Sequence, residues 1–334
     1  MNNPPLAAPL GRPGLPRLGL GCMGMSEFYG APDDQQSLHA LETAFDLGYR
    51  HFDTADMYGA GHNEKLLGSF LTRLGSRRDE VVVASKVGIR RDLPGPSPIG
   101  IDSTPEYVRA ACERSLERLG VERIDLYYLH RRNPAVPIED TMGAMAALLS
   151  EGKIGAIGLS EVSVETLRKA ARVAPIAALQ SEYSLWTRDA EGEMFGACAE
   201  LGVTFVAYSP VGRGFLSGEL QAETVRTPGD LRGMLPRFQP GAFESNARLL
   251  EVVARVARAL DASRAQVALA WVLAKNPALH AIPGTRKATH LSDNWGSQKI
   301  ALSPSHMEEL SRAFHAEAVT GLRYPEPLLR TTGT

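Results

Sequence analysis

Eight short apolar runs, most of them separated by helical patterns, constrain the fold of this 334-residue chain more than any other feature. The runs are rich in Val, Ile, Leu and Tyr and show little polar alternation, which is typical of strands buried on both faces of a parallel sheet. They span residues 17–21, 49–53, 81–86, 124–130, 155–160, 177–182, 203–209 and 279–283.

The intervening segments carry helix start and stop signals. Thr104 followed by Pro105 is a cap with proline at the first helical position, and Gly120 ends the apolar stripe that follows. Ser263 and Gln266 match a capping box. Eight strands, each followed by a helix or loop, predict an α/β protein with a single (β/α)8 TIM barrel.

The chain shows no internal repeat and no shift of composition at its middle, so we expect one domain over residues 1–334. Its core is expected at about 17–317, with a C-terminal tail at 318–334 and a short N-terminal cap across the barrel bottom. Two long stretches without predicted structure, 90–103 and 212–242, follow strands. They are therefore expected as long loops at the C-terminal mouth, the second as a candidate lid.

Composition excludes several classes of partner. The 36 Lys and Arg residues against 38 Asp and Glu give a net charge of −2, so nothing indicates binding to nucleic acid or to an anionic membrane. The three cysteines form neither a disulfide framework nor a zinc-binding spacing. There is no basic start followed by an apolar run, and no long apolar stretch, so a cytoplasmic location is expected.

One motif is misleading. Gly19, Gly21 and Gly24 match the G-x-G-x-x-G dinucleotide fingerprint after a short strand. That fingerprint needs a helix to begin at the glycines, but the nearest helical pattern begins near Asp34. We therefore interpret the glycines as a tight strand exit rather than as a Rossmann site.

Polar residues at the strand ends indicate chemistry. Asp53, Lys86 and His130 end three successive predicted strands, and Tyr58 follows the first of them. Each alone is typical of a structural residue, but side chains at this rim of a barrel share one pocket. A lysine beside Tyr58 would lower the pKa of the phenol, and burial would oppose that change. Such a set can protonate an oxygen as negative charge develops on it, which suits hydride transfer to a carbonyl.

Other chemistries are less compatible with these residues. No nucleophile is evident, and His51-x-Asp53 lacks the second histidine of a metal-binding pair, so no metal is expected. A Schiff-base aldolase that uses Lys86 is a further alternative. It is disfavoured because Asp53 would keep this lysine protonated.

From Gly19 to about Pro325 the chain resembles the aldo-keto reductases, in particular the microbial and plant branch that is similar to potassium-channel β subunits. The resemblance rests on several motifs: Asp53-Thr-Ala-Asp-Met-Tyr58-Gly59, Asn63-Glu64-x-Leu-Leu-Gly68, Ser85-Lys86, Tyr128-Leu-His130, Gly158-Leu-Ser160, Tyr208-Ser-Pro210, Gly212-Arg-Gly214-Phe-Leu216 and Ile282-Pro-Gly284-Thr-Arg286. It implies a catalytic tetrad of Asp53, Tyr58, Lys86 and His130, with Tyr58 as the proton donor.

The resemblance also implies NADPH or NADP+ as cofactor, in preference to NADH. Ser160 and Gln180 match residues that hold the nicotinamide carboxamide, and Glu161 stands where many members have Asn. Tyr208 would stack on the nicotinamide ring. The phosphates would lie against two backbone segments that contain Ser209, Pro210, Gly212, Arg213, Gly214 and Leu216 in one, and Gly284, Thr285 and Arg286 in the other. At the adenosine end lie Asp293, Asn294 and, in the place of the family's usual arginine, His290.

The function implied is NADPH-dependent reduction of aldehydes or reactive ketones to alcohols. An NADPH-binding, redox-sensing regulatory subunit with slow turnover is the alternative. The partner is expected to be a small carbonyl compound, and assembly into homo-oligomers is left open. Candidates for an apolar substrate pocket are Met25, Phe28, Tyr29, Met57, Trp186 and Phe215. Arg131 and Arg132 are expected either to attract an acidic substrate or to lie at the surface.

Overall fold

The computed structural model describes residues 9–91 and 100–333, and a parallel eight-stranded sheet lies at its centre. In the order in which they pair, its strands are β1 (Leu20–Gly21), β2 (His51–Asp53), β3 (Val82–Val87), β6 (Leu126–Leu129), β7 (Ile157–Ser160), β8 (Ile176–Glu182), β9 (Thr204–Tyr208) and β10 (His280–Ile282). Each of the eight predicted runs overlaps one of these strands, and β3 and β8 each extend one residue beyond their runs. Backbone hydrogen bonds from Gly19 to Ala281 (2.8 Å) and from Ala281 to Arg17 (2.9 Å) bring the last strand to the first. The predicted (β/α)8 barrel is therefore confirmed.

Helices surround this sheet. They are α1 (Asp34–Leu47), α2 (His62–Leu74), α3 (Pro105–Leu119), α4 (Ile138–Ser150), α5 (Val164–Ala171), α6 (Glu193–Leu201), α7 (Ala222–Val225), α8 (Ala242–Ala247), α9 (Leu250–Ala259), α10 (Arg264–Ala274), α11 (Ala288–Gly296), α12 (Pro304–Ala313) and α13 (Glu326–Leu329). Across the described ranges, none of them is both long enough and apolar enough to cross a membrane.

The predicted helix ends are present. Thr104 caps α3 by accepting a hydrogen bond from the backbone N–H of Tyr107, and Gly120 ends that helix in the left-handed conformation. Ser263 and Gln266 form both halves of the capping box of α10. Each such cap contributes about 1 kcal/mol, because it satisfies backbone groups that the helix itself leaves unpaired.

Two apolar cores flank the sheet, one between the strands and the helices and the other inside the barrel. Leu10 packs into the inner core together with Val82, Leu126 and Val206, so it fills the barrel from the N-terminal side. The predicted N-terminal cap is therefore present in its described part, whereas residues 1–8 lie outside the described residues.

The described parts of the two long loops contain regular structure that their composition does not indicate. The stretch 212–242 contains α7 and three short 3-10 helices, and the backbone N–H of Leu231 donates to the carbonyl of Phe28 at 3.0 Å. At the two ends of the first loop, β4 (Ile89–Arg90) and β5 (Gly100–Ile101) pair antiparallel, while residues 92–99 lie outside the described ranges.

The glycines of the misleading fingerprint do not begin a helix. A single 3-10 turn, Met23–Met25, follows β1, and α1 begins at Asp34 behind its cap Asp33. The interpretation of these glycines as a strand exit is therefore correct.

Candidate active site

The structure brings the four polar residues of the predicted tetrad together at the C-terminal mouth of the barrel. Asp53 ends β2, Lys86 lies in the neighbouring β3, and Tyr58 begins a 3-10 turn after β2. His130 follows β6, and its backbone N–H donates to the carbonyl of Val87 at 2.7 Å, which fixes the point where the chain leaves the sheet.

Lys86 contacts two other members of this group, Asp53 and Tyr58. Its fully buried ammonium forms an ion pair with Asp53 and donates hydrogen bonds to the carbonyl of Thr54 at 2.8 Å and to the hydroxyl of Tyr58 at 3.4 Å. Burial alone would lower the pKa of Lys86, but Asp53 and Tyr58 outweigh it and raise the pKa above its ordinary value. Lys86 is therefore a permanent cation beside the phenol.

Gln180 binds the carboxylate oxygen of Asp53 that Lys86 does not contact. Its side-chain amide donates to the Oδ2 atom of Asp53 at 2.7 Å. The two residues lie on β2 and β8, which occupy opposite positions in the eight-stranded order, so this hydrogen bond crosses the barrel. It leaves Asp53 oriented toward Lys86.

Tyr58 and His130 face each other over the cleft. Their rings lie 5.8 Å apart, centroid to centroid, at an interplanar angle of 86°. The Nδ1 atom of His130 is buried and has no hydrogen-bond partner among the described residues. Burial, with the nearby charges of Lys86 and Arg131, lowers the pKa of His130 well below its usual range, so the imidazole is neutral at pH 7.

The expectation that Lys86 lowers the pKa of Tyr58 needs correction. Burial of the phenol raises its pKa above 10, and the opposing effect of Lys86 does not outweigh that burial. The reason is physical, since a phenolate here would lose its hydration while the positive charge of Lys86 is already shared with Asp53. Tyr58 is therefore protonated at neutral pH.

A second carboxylate group lies behind the tetrad. Glu64 accepts hydrogen bonds from Ser85 at 2.5 Å and from Arg118 at 2.6 Å. Asp56 is close to it, and burial together with the charge of Glu64 raises the pKa of Asp56 to about 8. One oxygen of Asp56 has no partner among the described residues.

A cleft of about 1060 Å³ extends from Tyr58 and His130 along the mouth of the barrel. Most residues predicted to hold the cofactor line it: Ser160, Gln180, Tyr208, Ser209, Pro210, Arg213, Gly214, Gly284, Thr285, Arg286, His290, Asp293 and Asn294. Glu161, Gly212 and Leu216 lie behind this wall and do not line the cleft.

The backbone after β9 is shaped to form a concave wall. Ser209, Gly212, Arg213 and Gly214 all have positive φ angles, of 50°, 58°, 56° and 91°. Gly214 borders the cleft, and a Cβ atom there would lie 3.5 Å from the guanidinium of Arg232. A cleft of this size, with a cationic far end formed by Arg258, Arg264, Arg286 and Lys287, fits a phosphate-bearing dinucleotide.

Glu161 has a role that the sequence did not reveal. Its carboxylate accepts two hydrogen bonds from Arg323, at 3.0 and 2.8 Å, and one from the backbone N–H of Glu182 at 2.9 Å. Burial alone would raise the pKa of Glu161, but Arg323 lowers it below its ordinary value. Glu161 thus anchors the C-terminal segment.

Tyr324, which follows Arg323 in the chain, was also not predicted from the sequence as a residue of the site. Its hydroxyl lies 3.1 Å from that of Tyr208 and accepts a hydrogen bond from Arg213 at 2.7 Å. Arg213 in turn forms a buried ion pair with Glu182 at 2.8 Å. No local motif marks Arg323 and Tyr324, because their importance comes only from the return of the tail to the barrel mouth.

At the far end of the cleft, Arg286 donates to the carbonyls of Ala31 at 2.6 Å and of Tyr29 at 3.1 Å. His290 is half exposed, and its Nδ1 atom lies 3.4 Å from the hydroxyl of Thr285. Asp293 accepts a hydrogen bond from Ser263 at 2.7 Å, which links it to the cap of α10. Arg258 and Arg264 line this end as well, and no sequence motif marks them.

The predicted substrate residues separate into two groups. Phe28, Tyr29 and Met57 line the cleft. The other three do not: Met25 is buried in the core, and Trp186 stacks on Phe215 with ring centroids 4.0 Å apart.

Residues 17–314 match the model of the aldo/keto reductase family. Among curated proteins, "Probable aldo-keto reductase 1" of Glycine max is 43% identical over 310 residues, which cover 92% of this chain and 88% of that protein. The "Aldo-keto reductase yakc [NADP(+)]" of Schizosaccharomyces pombe is 38% identical over 319 residues, with 95% and 93% of the two chains covered.

Solved structures agree with this result. The glycerol dehydrogenase AKR11B4 from Gluconobacter oxydans superposes with a TM-score of 0.83 at 29% identity, over 93% of this chain and 94% of that one. An aldo/keto reductase from Klebsiella pneumoniae, solved in complex with NADP and acetate, gives a TM-score of 0.71 at 28% identity, over 93% of each chain. Fold, family match and sequence identity together show that this chain belongs to the aldo/keto reductase family.

Proposed function

We propose that this protein is an NADP-dependent oxidoreductase that reduces aldehydes or reactive ketones to alcohols, with Tyr58 as the proton donor. The observation that carries the proposal is the contact of the protonated Tyr58 hydroxyl with the Lys86 ammonium at 3.4 Å, beside a neutral His130. The NADP-bound relative from Klebsiella pneumoniae and the NADP(+) in the name of the fission-yeast relative support the choice of cofactor.

When bound, the cofactor supplies a hydride to the carbonyl carbon. Residues of the chain protonate and stabilise the carbonyl oxygen. As the hydride arrives, negative charge develops on the carbonyl oxygen and Tyr58 transfers its hydroxyl proton to it, so that C=O becomes CH–OH. Lys86 stabilises the phenolate that is left, and Asp53 and Gln180 keep that ammonium in place. In the proposed step, neutral His130 donates a hydrogen bond to the same oxygen.

The contacts of Lys86 argue against an aldolase that would form a Schiff base. That chemistry needs a neutral amine, whereas the ion pair with Asp53 favours the ammonium form. Borohydride trapping with a carbonyl substrate tests this point directly, since the reductase should form no covalent adduct.

The test of the proposed function is a panel of aldehydes, ketones and quinones, with NADPH oxidation followed by absorbance. We expect turnover of reactive aldehydes by the wild type and a large loss in Lys86→Met, an uncharged variant of similar shape. Tight NADPH binding without turnover of any carbonyl compound would instead support the NADPH-binding regulatory subunit.

A further inference from the structure

The catalytic end of the cleft contains a cation that forms no direct ion pair with a carboxylate of the described residues. Three carboxylates at this end each have a cation of their own: Asp53 with Lys86, Glu182 with Arg213, and Glu161 with Arg323. Arg131, which directly follows His130, forms no ion pair with any carboxylate in the described ranges. The charge of Glu161 acts on Arg131 from a distance, but Glu161 itself is paired with Arg323. Arg131 therefore has no carboxylate in direct contact within the described ranges and can pair with one that enters the cleft.

The guanidinium of Arg131 is held in place by neutral groups. Its Nη1 atom donates to the carbonyl of His130 at 2.7 Å and to the hydroxyl of Ser160 at 3.2 Å. The remaining N–H groups make no hydrogen bond to any described residue. These two hydrogen bonds fix the direction of the side chain. Because Arg131 is half-buried, its guanidinium is only partly hydrated.

Arg131 also lies between two cavities. It lines the main cleft together with Tyr58 and His130, and it lines a second cavity of about 510 Å³ beside it. This side cavity, which borders the antiparallel pair of β4 and β5, shares Ile89, Arg131, Tyr324 and Leu328 with the main cleft. Arg131 is the one charged side chain of its described lining.

We propose that Arg131 determines substrate specificity by selecting carbonyl compounds that carry a carboxylate, with the carboxylate seated on the guanidinium at the entrance to the side cavity. This inference rests on the proposed function and deepens it. The planar guanidinium matches the geometry of a carboxylate, and a charged hydrogen bond in a partly dehydrated site is stronger than one in water. The carbonyl group then lies toward Tyr58 and His130, which share the same cleft.

The experiment compares 4-carboxybenzaldehyde with its neutral methyl ester, using NADPH and the full-length protein. The quantity measured is the acid preference, which is kcat/KM for the acid divided by kcat/KM for the ester. We expect Arg131→Met to lower this ratio by about 10- to 100-fold, which corresponds to the loss of a charged hydrogen bond. Arg131→Lys, which keeps the charge but not the planar fork, should give an intermediate value.

Arg132→Met is the matched control, because Arg132 is adjacent and half-buried but lines neither cavity. It should leave the acid preference at the wild-type value. An equal acid preference in Arg131→Met and the wild type overturns the inference. If the wild type reduces neither the acid, nor the ester, nor any other aldehyde, the proposed function itself fails, and this inference falls with it.

A second measurement needs no variant. Benzoate should inhibit reduction of the ester by the wild type at concentrations about 10- to 100-fold lower than benzamide, because only benzoate can pair with the guanidinium. Equal inhibition by the two compounds contradicts the proposal.

Discussion

Arg323 and Glu161 form a buried ion pair of two hydrogen bonds, at 3.0 and 2.8 Å, between residues 162 positions apart in the chain. The pair ties the C-terminal segment to the end of β7, next to Ser160. In the same segment, the backbone N–H of Gly333 donates to the carbonyl of Glu161 at 2.8 Å. The tail therefore covers part of the barrel mouth, as the loops do.

Removal of Arg323 should destabilise the protein strongly. Arg323→Met leaves Glu161 buried without its cation, which costs about 3–5 kcal/mol of unfolding free energy near pH 7. In the wild type the pKa of Glu161 lies below its unfolded value, so its contribution is present above about pH 4.5 and is lost as the pH falls. The difference between variant and wild type should therefore shrink below about pH 4.5. Chemical unfolding at several pH values measures it, with the exposed Arg330→Met as control.

Tyr58→Phe removes the proposed proton donor while keeping the ring. We expect kcat to fall by at least ~100-fold, within the range for general acid catalysis, with NADPH affinity nearly unchanged. Tyr107→Phe, on α3 away from the cleft, serves as the control. If Tyr58→Phe keeps most of its activity, the proton comes from another group, and His130 is the first to examine.

The pH dependence of carbonyl reduction should be flat over a wide range. The pKa of His130 lies well below 6.5 and that of Tyr58 lies above 10, so both keep one protonation state between about pH 6 and pH 9. A profile of kcat/KM for the neutral ester should show no titration there. An acid limb near pH 6.5 that disappears in His130→Gln would contradict the neutral state of His130.

Asp56 should make the protein less stable as the pH rises. Its folded pKa of about 8 lies above the ordinary value of 3.8, so the folded state holds this proton more tightly than the unfolded state does. The resulting stabilisation is complete below the unfolded pKa and is lost as the pH rises toward 8. Asp56→Asn should therefore gain in unfolding free energy relative to the wild type between about pH 4 and pH 8. The exposed Asp46→Asn is the control in the same denaturant titrations.

Arg286 should discriminate between the two nicotinamide cofactors. Under the proposed function its guanidinium meets the 2′-phosphate, and loss of a charged hydrogen bond in Arg286→Ala should weaken NADPH by about 10- to 150-fold. NADH should change far less, since it lacks this phosphate. Cofactor titration by protein fluorescence gives both affinities, with the exposed Arg172→Ala as control.

Equal losses for the two cofactors would carry a different meaning. Arg286 also holds the carbonyls of Tyr29 and Ala31, and an equal loss would assign it to that loop alone.

The barrel, and the grouping of four polar residues at its mouth, could be predicted from the sequence because both depend on local patterns. Apolar runs mark buried strands, and a polar residue at a strand end such as Asp53 or His130 must lie at the mouth once the barrel is known. The roles of Arg323 and Glu161 could not be predicted in this way. They depend on where a tail without periodicity returns to the barrel, and no local sequence signal specifies that contact.

The pocket residues were harder to place for a related reason. Trp186 and Phe215 have the composition of a pocket wall, but an aromatic side chain after a strand can face either the cleft or the layer behind it. In this chain the two rings stack on each other, and Phe238 packs edge-on against Trp186 at 5.3 Å between centroids. Only the path of the loop at 212–242 decides this orientation.

The hydrogen bond from Gln180 to Asp53 has a consequence for how the site comes into existence. The two residues are 127 positions apart in the chain and lie on opposite strands of the barrel. Neither half of the chain can therefore form the surroundings of the Asp53 carboxylate alone. Helices and neighbouring strands can form from local contacts, but this bond forms only when the ring of strands has closed. During refolding, the recovery of enzymatic turnover therefore reports when the barrel closes. It should lag behind the recovery of the circular dichroism signal of the helices.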